Sequence, residues 1–185
     1  MGTVLKQKMS MLVGLLAAIA MAFVLTPVAA HATPTSPTDV ADSTVTINNL
    51  IDGDTVEAFL IADADIDASN NLTYTMAANL PSAYDSIDKI KVVASDGNSF
   101  HQGSDMQNAA SAIAKAFADA GTTAAASATA SGTSATLTLG SGYYLVRVTS
   151  TSGQTRVYQN MVVDASPVAN ASGTYDAHPA QTIDV

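Results

Sequence analysis

Three aspartates at alternate positions are the side chains whose spacing most suggests chemistry, and that chemistry would be calcium binding. Asp63, Asp65 and Asp67 place carboxylates two residues apart, and carboxylate oxygens are preferred ligands of Ca²⁺. An EF-hand loop that began at Asp63 would need Gly at its sixth position and Glu at its twelfth, where this sequence has Ala68 and Tyr74. The spacing therefore indicates a solvated acidic loop, and a looser, weak calcium site is the alternative.

The other polar residues do not form a recognisable catalytic or metal-binding set. The sequence has no Cys and no Gly-x-Ser-x-Gly segment, the pattern of a hydrolase nucleophile. Asp52 and Asp54 flank Gly53, a spacing typical of a turn in which aspartates bond to the backbone rather than of an acid/base pair. The histidines lack a second His or a Glu at ligand spacing; they are His31, His101 and His178. We therefore expect no enzymatic activity, no metal and no cofactor.

The first 32 residues predict export. Lys6 and Lys8 precede an apolar run at residues 9–25, and an Ala-x-Ala triplet ends at Ala32. This is the pattern of a secretory signal peptide. Because Ala30 and Ala32 have the small side chains that signal peptidase accepts, cleavage is expected after Ala32. The apolar run is close to the roughly 20 residues that span a bilayer, so an uncleaved membrane anchor is the alternative.

The composition of residues 33–185 indicates one acidic domain without disulfides. Beyond residue 32 the chain has 153 residues, which suits one domain with a sizeable core. Five basic and 16 acidic residues lie beyond residue 32, which gives a net charge of −11. A surface with that charge repels nucleic acid and anionic membranes. Because Cys is absent, an extracellular domain must be stabilised by packing or by a cross-link other than a disulfide.

Residues 33–43 are rich in Pro, Thr, Ser and Asp, which predicts a flexible lead-in. The folded domain is expected over residues 44–185, where short apolar alternations separated by turn residues predict strands. The closing two segments are expected to pair with each other. The predicted strands are residues 44–47, 56–61, 72–76, 90–94, 124–130, 135–139, 143–148, 156–163, 174–176 and 182–185.

One helix is predicted over residues 105–120. Ser104 and Gln107 form a capping box, and Gly121 stands where a left-handed C-terminal cap belongs. Its apolar stripe is narrow, so it should lie against a sheet; the stripe is Met106, Ala110, Ile113 and Phe117. The predicted fold is therefore mostly β, an Ig-like β-sandwich with one amphipathic helix inserted.

Four segments in order resemble the N-terminal domain of Gram-positive fimbrial backbone pilins, the isopeptide-forming subunits that class C sortases polymerise. They are Thr44 to Asn49, the run "GDTVEAFLI" at Gly53 to Ile61, the helix end "AIAKAFADAG" at Ala112 to Gly121, and "GYYLV" at Gly142 to Val146. The resemblance covers nearly the whole exported chain. It implies an Ig-like sandwich, followed in that family by further domains and a Leu-Pro-x-Thr-Gly sorting signal.

The resemblance also implies a pilin-motif Lys near the end of the domain, to which sortase joins the next subunit. Residues 170–185 match the closing strand of the family but contain no Lys, and no sorting signal follows. The first strand has no Lys that could form an internal isopeptide. Lys89, Lys91 and Lys115 are predicted to lie on the surface. We therefore expect a truncated or incomplete pilin, with neither a pilin-motif Lys nor an isopeptide assigned.

The leading hypothesis is a structural protein, the N-terminal domain of a fimbrial subunit displayed on the surface of a Gram-positive bacterium and supporting adhesion. Its partners would be other pilin subunits and class C sortase. The alternative is a secreted stand-alone module that binds host glycan or matrix protein through exposed aromatics such as Tyr143, Tyr144 and Tyr158. Buried rings would favour the structural role, and a clustered, exposed aromatic platform would favour binding.

Overall fold

The computed structural model describes residues 40–95, 103–151 and 156–185 of the chain. Within these ranges, no helix is both long and apolar enough to cross a membrane. A short 3₁₀ turn, Ser82–Tyr84, precedes the first helix. In chain order the strands and α-helices are β1 (Ser43–Asn48), β2 (Thr55–Ile66), β3 (Leu72–Met76), α1 (Ile87–Ser95), α2 (Asp105–Ala120), β4 (Ala126–Thr129), β5 (Ser134–Leu139), β6 (Gly142–Thr149), β7 (Met161–Asp164), β8 (Val168–Ala169), β9 (Tyr175–Asp176) and β10 (Gln181–Asp184).

Two sheets stack to form a sandwich, with β2 at the centre of the larger sheet. β2 pairs with β6 on one side and with β3 and β4 on the other, and β7 continues the sheet beyond β6. The smaller sheet has the order β10-β1-β5, in which β1 is antiparallel to β5 and parallel to β10. β8 and β9 form a separate ribbon. The mostly-β sandwich with an inserted helix is therefore confirmed.

The larger sheet is buried on both faces, so the domain has two cores. The sandwich core lies between the sheets and the helix-side core lies under the two helices. Because side chains alternate along a strand, β2 sends Val56 and Ala58 to the sandwich core and Phe59 and Ile61 to the helix-side core. Large side chains fully buried in the sandwich core are Val45, Ile47, Val56, Leu137, Leu139, Val146 and Met161; those in the helix-side core are Ile61, Ile90, Ile113, Phe117 and Leu145.

Helix α2 occupies the predicted residues, 105–120. The hydroxyl oxygen of Ser104 accepts a hydrogen bond from the amide of Gln107 at 3.2 Å, and the Gln107 side chain accepts one from the amide of Gly103. Gly121 ends the helix at φ +64°, and its amide donates to the carbonyl of Ala118 at 3.1 Å. The capping box, the C-terminal cap and the buried stripe are all as predicted.

The strand predicted at residues 90–94 is wrong, because this segment is the second half of helix α1. Ile87, Ile90 and Ala94 recur at helical spacing and contact the helix-side core, whereas Val92 is 69% exposed. The β-branched residues of this segment favour a strand locally. Burial of one helical face against β7 and α2 overrides that preference.

The predicted acidic loop begins later than residue 63. β2 continues to Ile66 because its second half pairs with β3, in a register that places Asp65 opposite Thr73. Asp63 and Asp65 therefore lie on a strand rather than in a loop. At the other end of the domain, β1 begins at Ser43, one residue before the predicted start.

Two further strand predictions need correction. Of the strand predicted at residues 156–163, only the last three residues belong to β7, because residues 156–158 bond to loops at the end of the sandwich instead. Residues 174–176 and 182–185 do not pair with each other. β9 pairs with β8, and β10 pairs with β1, which places the closing strand beside the first one.

Candidate functional site

Asp54 is a fully buried carboxylate at the start of β2, and it is the centre of a set of hydrogen bonds that we call the Asp54 network. Its Oδ2 accepts from the amide of Ile51 at 2.9 Å and from the hydroxyl of Tyr158 at 2.5 Å. Its Oδ1 accepts from the amide of Thr151 at 2.9 Å and from the Thr151 hydroxyl at 3.3 Å. Since each oxygen accepts two hydrogen bonds, groups of the domain itself use the hydrogen-bonding capacity of the carboxylate.

These hydrogen bonds also set the protonation of Asp54. Burial disfavours the charged form, but the bonds from Tyr158, Ile51 and Thr151 outweigh it and hold the pKa of Asp54 below its usual value. Burial, together with the bond to Asp54, raises the pKa of the Tyr158 hydroxyl. A carboxylate with a lowered pKa is a weak general base at neutral pH. The Asp54 network is therefore suited to fixing structure.

The same turn is held by a second aspartate and by a glycine. Asp52 Oδ1 accepts from the amide of Gly132 at 2.8 Å, which joins the β1–β2 turn to the β4–β5 turn. Gly53 has φ +88°, and a Cβ at this position would lie 3.0 Å from the Thr151 hydroxyl oxygen. The Asp-Gly-Asp spacing thus produces the backbone hydrogen bonds that turn chemistry predicts.

The segment that follows β6 is tied to the same end of the sandwich. The Arg156 guanidinium donates to the carbonyl of Asn49 at 2.5 Å and lies 5.9 Å from the centre of the Tyr158 ring. The carbonyl of Arg156 accepts from the Ser150 hydroxyl at 2.6 Å. Tyr158 and Asp54 are 104 residues apart in sequence, and no local pattern signals such a pairing.

The three aspartates considered for calcium do not form one site. Asp63 and Asp65 are exposed on β2, and partial burial, then the charge of Asp65, raises the pKa of Asp63. Asp67 Oδ1 instead accepts from the amides of Ser69 and Asn71, each at 2.8 Å, in a local turn. In the residues that the structure describes, no group of three potential metal-ligating side chains comes together.

The tyrosines proposed for a binding platform are mostly inside the domain. Tyr143 is 4% exposed and Tyr144 is 5% exposed, and they point to opposite faces of the larger sheet. The Tyr144 hydroxyl donates to the carbonyl of Gly140 at 3.1 Å, and burial, then the charges of Asp63 and Asp42, raises its pKa to about 12. Tyr158 is partly buried in the Asp54 network. These rings form no shared exposed surface.

All three lysines beyond residue 32 are exposed and lie on helices. Lys89 pairs with Asp85 at 2.6 Å, and Lys115 pairs with Asp119 at 2.6 Å. Lys91 Nζ lies 4.5 Å from the centre of the Tyr74 ring. No lysine is buried in the described core, where an internal isopeptide would need one opposite an Asn and near an Asp or Glu.

Several predicted residues fall outside the described ranges or away from any site. Ala30 and Ala32, the predicted signal peptidase recognition residues, lie outside the described residues, as do His31 and His101. His178 precedes β10, where its Nδ1 lies 3.2 Å from the side-chain nitrogen of Gln181.

No protein-family model matches the chain, and no curated protein matches it.

Proposed function

We propose that this chain is the N-terminal structural domain of an exported fimbrial subunit, displayed on the surface of a Gram-positive bacterium. The observation that carries the proposal is the burial of Tyr143 and Tyr144, whose rings pack inside the two cores. An aromatic binding platform needs exposed rings. The fimbrial role itself comes from the resemblance of the four sequence segments to pilin N-terminal domains.

The arrangement of the first and last strands supports a load-bearing role. β1 and β10 are parallel, with Val45 opposite Gln181 and Asn48 opposite Asp184. The chain therefore enters β1 at one end of the pair and leaves β10 at the other end. Tension between those two points loads the strand pair in shear, so its hydrogen bonds must break together rather than one by one. A subunit in a filament under tension benefits from that geometry.

The lysines restrict how such a subunit would be joined. Transfer from the sortase acyl-enzyme needs an amine presented beside an extended segment, whereas Lys89, Lys91 and Lys115 all lie on regular helices. We therefore expect the purified chain to stay monomeric when incubated with class C sortase and a Leu-Pro-x-Thr-Gly donor peptide. An adduct mapped by mass spectrometry to Lys89, Lys91 or Lys115 would contradict this expectation.

Cell-wall extraction of the source bacterium tests the fimbrial role. An antibody raised against residues 44–185 should detect a ladder of covalent high-mass species in the wall fraction, and deletion of the class C sortase should collapse the ladder. A matched antibody against an unrelated wall-anchored protein controls for fraction recovery. If the antigen is found only as free monomer in the medium, with or without the sortase, the fimbrial role is wrong and a secreted module is the better explanation.

A further inference from the structure

The two sheets end side by side in the edge strands β7 and β10. Residues 162–164 and 181–184 line an opening of about 410 Å³ beside these strands, together with Ala94 of α1 and Met106 of α2. Asp184 also lines a second opening, of about 400 Å³, which continues past residues 156–159. We call the two openings together the edge groove. Among the described residues, no strand pairs with the outer edge of β7 or of β10.

The outer edge of β10 presents backbone groups without strand partners. The amide of Val185 donates to the carbonyl of Asn48 on β1 at 3.3 Å. Because the backbone direction alternates along a strand, Ile183 also faces β1, whereas Thr182 and Asp184 direct their N–H and C=O groups away from it. Both of those residues are exposed. β10 can therefore accept another strand.

The outer edge of β7 is partly occupied. The amide of Ala165 donates to the carbonyl of Gly142 at 2.7 Å, so by the same alternation Val162 and Asp164 face away from β6. The side-chain amide of Gln181 spans the groove and donates to the carbonyl of Asp164 at 2.6 Å. Of the two edges, β10 is therefore the one that is open to pairing.

On the opposite side of the sandwich the two sheets are joined directly. There a tight turn joins β4 of the larger sheet to β5 of the smaller one, with a bridge between Ser131 and Ser134. Natural edge strands are protected by short length, charged side chains, Pro or a bulge. β10 has four residues, Gln-Thr-Ile-Asp, with one charged side chain and neither Pro nor Lys.

The charges at the groove select the kind of segment that would bind. Asp184 Oδ1 accepts from the Asn48 side chain at 3.1 Å, and Asp164 Oδ1 accepts from the amide of Ser166 at 2.8 Å. In the described part of the chain neither carboxylate forms an ion pair. Arg156 also lines one end of the groove, but its guanidinium is directed to the carbonyl of Asn49. Because Ile183 packs against the sandwich core, Asp184 points to the outer face of the smaller sheet, whereas the Asp164 carboxylate lies beside Tyr143 on the helix side. A cationic side chain beside β10 would therefore meet the Asp184 carboxylate.

We propose that the outer edge of β10 binds an extended peptide segment that carries Lys or Arg. The segment adds to the smaller sheet as a strand beside β10, and its backbone bonds to Thr182 and Asp184. Its cations lie against Asp184. Main-chain hydrogen bonds supply the affinity in this mode of recognition, and the side chains supply the specificity. The proposal does not depend on the fimbrial role.

Titration of the ¹⁵N-labelled chain with two synthetic octapeptides tests the proposal. The probe is an alternating Lys-Thr peptide and the matched control is an alternating Glu-Thr peptide. The Lys-Thr peptide should shift the amide signals of Thr182 and Asp184, and its affinity should fall as salt is raised. The Glu-Thr peptide should bind at least about tenfold more weakly. Equal binding of both peptides, or shifts confined to other parts of the domain, would overturn the proposal.

Two variants at position 182 distinguish backbone pairing with the peptide from attraction between surface charges. Thr182→Pro removes only an outward N–H on an edge strand, where Pro is tolerated, and it should weaken the Lys-Thr peptide about 3- to 10-fold. Thr182→Ala keeps the N–H and should change affinity less than about twofold. Undiminished binding by the Pro variant would overturn the proposal.

A charge variant keeps the test decisive if Thr182→Pro does not fold. Asp184→Asn should weaken the Lys-Thr peptide about 2- to 5-fold and reduce the salt dependence. Unchanged affinity and salt dependence in this variant would overturn the assignment of a cationic partner. So would sedimentation showing that the chain pairs with a second copy through β10.

Discussion

The two faces of the larger sheet are stabilised in different ways. On the sandwich face, strands pack against strands, and the Asp54 network ties the end of the sandwich together. On the helix side, two helices cover the sheet, and Phe117 lies with its ring centre 6.4 Å from that of Phe59. The first face depends on contacts between distant segments, whereas the second includes helix α2, whose two ends are capped by neighbouring residues.

The size of the buried side chains differs as well. Val45, Val56 and Val146 are fully buried in the sandwich core, where alanines also contribute. The helix-side core buries three aromatic rings, those of Phe59, Phe117 and Tyr143, whereas the sandwich core buries the ring of Tyr144. Truncation of an aromatic ring in the helix-side core should therefore cost more than truncation of a valine in the sandwich core.

The largest effect is expected for Phe117→Ala. The ring is 2% exposed, so the variant should lose about 3 to 5 kcal/mol of unfolding free energy. Val45→Ala in the sandwich core is the matched comparison and should lose about 2 kcal/mol, since it removes two buried carbon groups. Denaturant titration measures both. A loss below about 1 kcal/mol for Phe117→Ala would make α2 peripheral to the fold.

Ile90→Ala tests whether α1 belongs to the helix-side core. Ile90 is fully buried, and its truncation should cost about 2 to 5 kcal/mol. Val92 lies two residues away on the same helix and is 69% exposed, so Val92→Ala should change stability by less than about 0.5 kcal/mol. Equal effects of the two substitutions would contradict the helical register, because a strand would place both residues on the same side.

The sequence predicted the parts of the fold that local signals control. Helix α2 was predictable because Ser104 and Gly121 mark its ends and its stripe repeats at helical spacing. β3 occupies the predicted residues. Helix α1 was missed because Ile and Val favour strands locally, although the spacing of Ile87, Ile90 and Ala94 was a usable helical signal.

The candidate sites were less predictable, for a physical reason. The Asp54 network joins Asp54 to Thr151 and Tyr158, 97 and 104 residues away in sequence. Such contacts depend on the complete topology, and no spacing rule contains them. The edge groove was hidden for the same reason, because the predicted pairing of the two closing segments concealed that β10 pairs with β1.

Asp54→Asn should cost about 1 to 3 kcal/mol at neutral pH, because the amide cannot accept from all four donors. The pKa of Asp54 is lowered in the folded state, so the carboxylate adds stability above the unfolded value of 3.8 and loses it as pH falls through the folded pKa. The difference between wild type and variant should therefore be constant from pH 7 to about 5 and should shrink below 3.8. A difference that does not change with pH would contradict the role of the charged form.

The smallest effects are expected on helix α2, where replacing Ser by Ala should have opposite consequences at positions 104 and 111. Ser104→Ala removes the oxygen that accepts from the Gln107 amide and should cost about 1 kcal/mol. Ser111 lies on the exposed side of the same helix. Ser111→Ala should stabilise the helix by a few tenths of a kcal/mol, roughly the difference in helix propensity between Ser and Ala.

Both variants also test whether the two cores unfold together. Helical circular dichroism and the near-ultraviolet signal of the tyrosines should give the same unfolding midpoint in each variant, because both cores are built on β2 and β6. Separate midpoints in Ser104→Ala would mean that the helix side unfolds independently, and the two cores would then be two cooperative units.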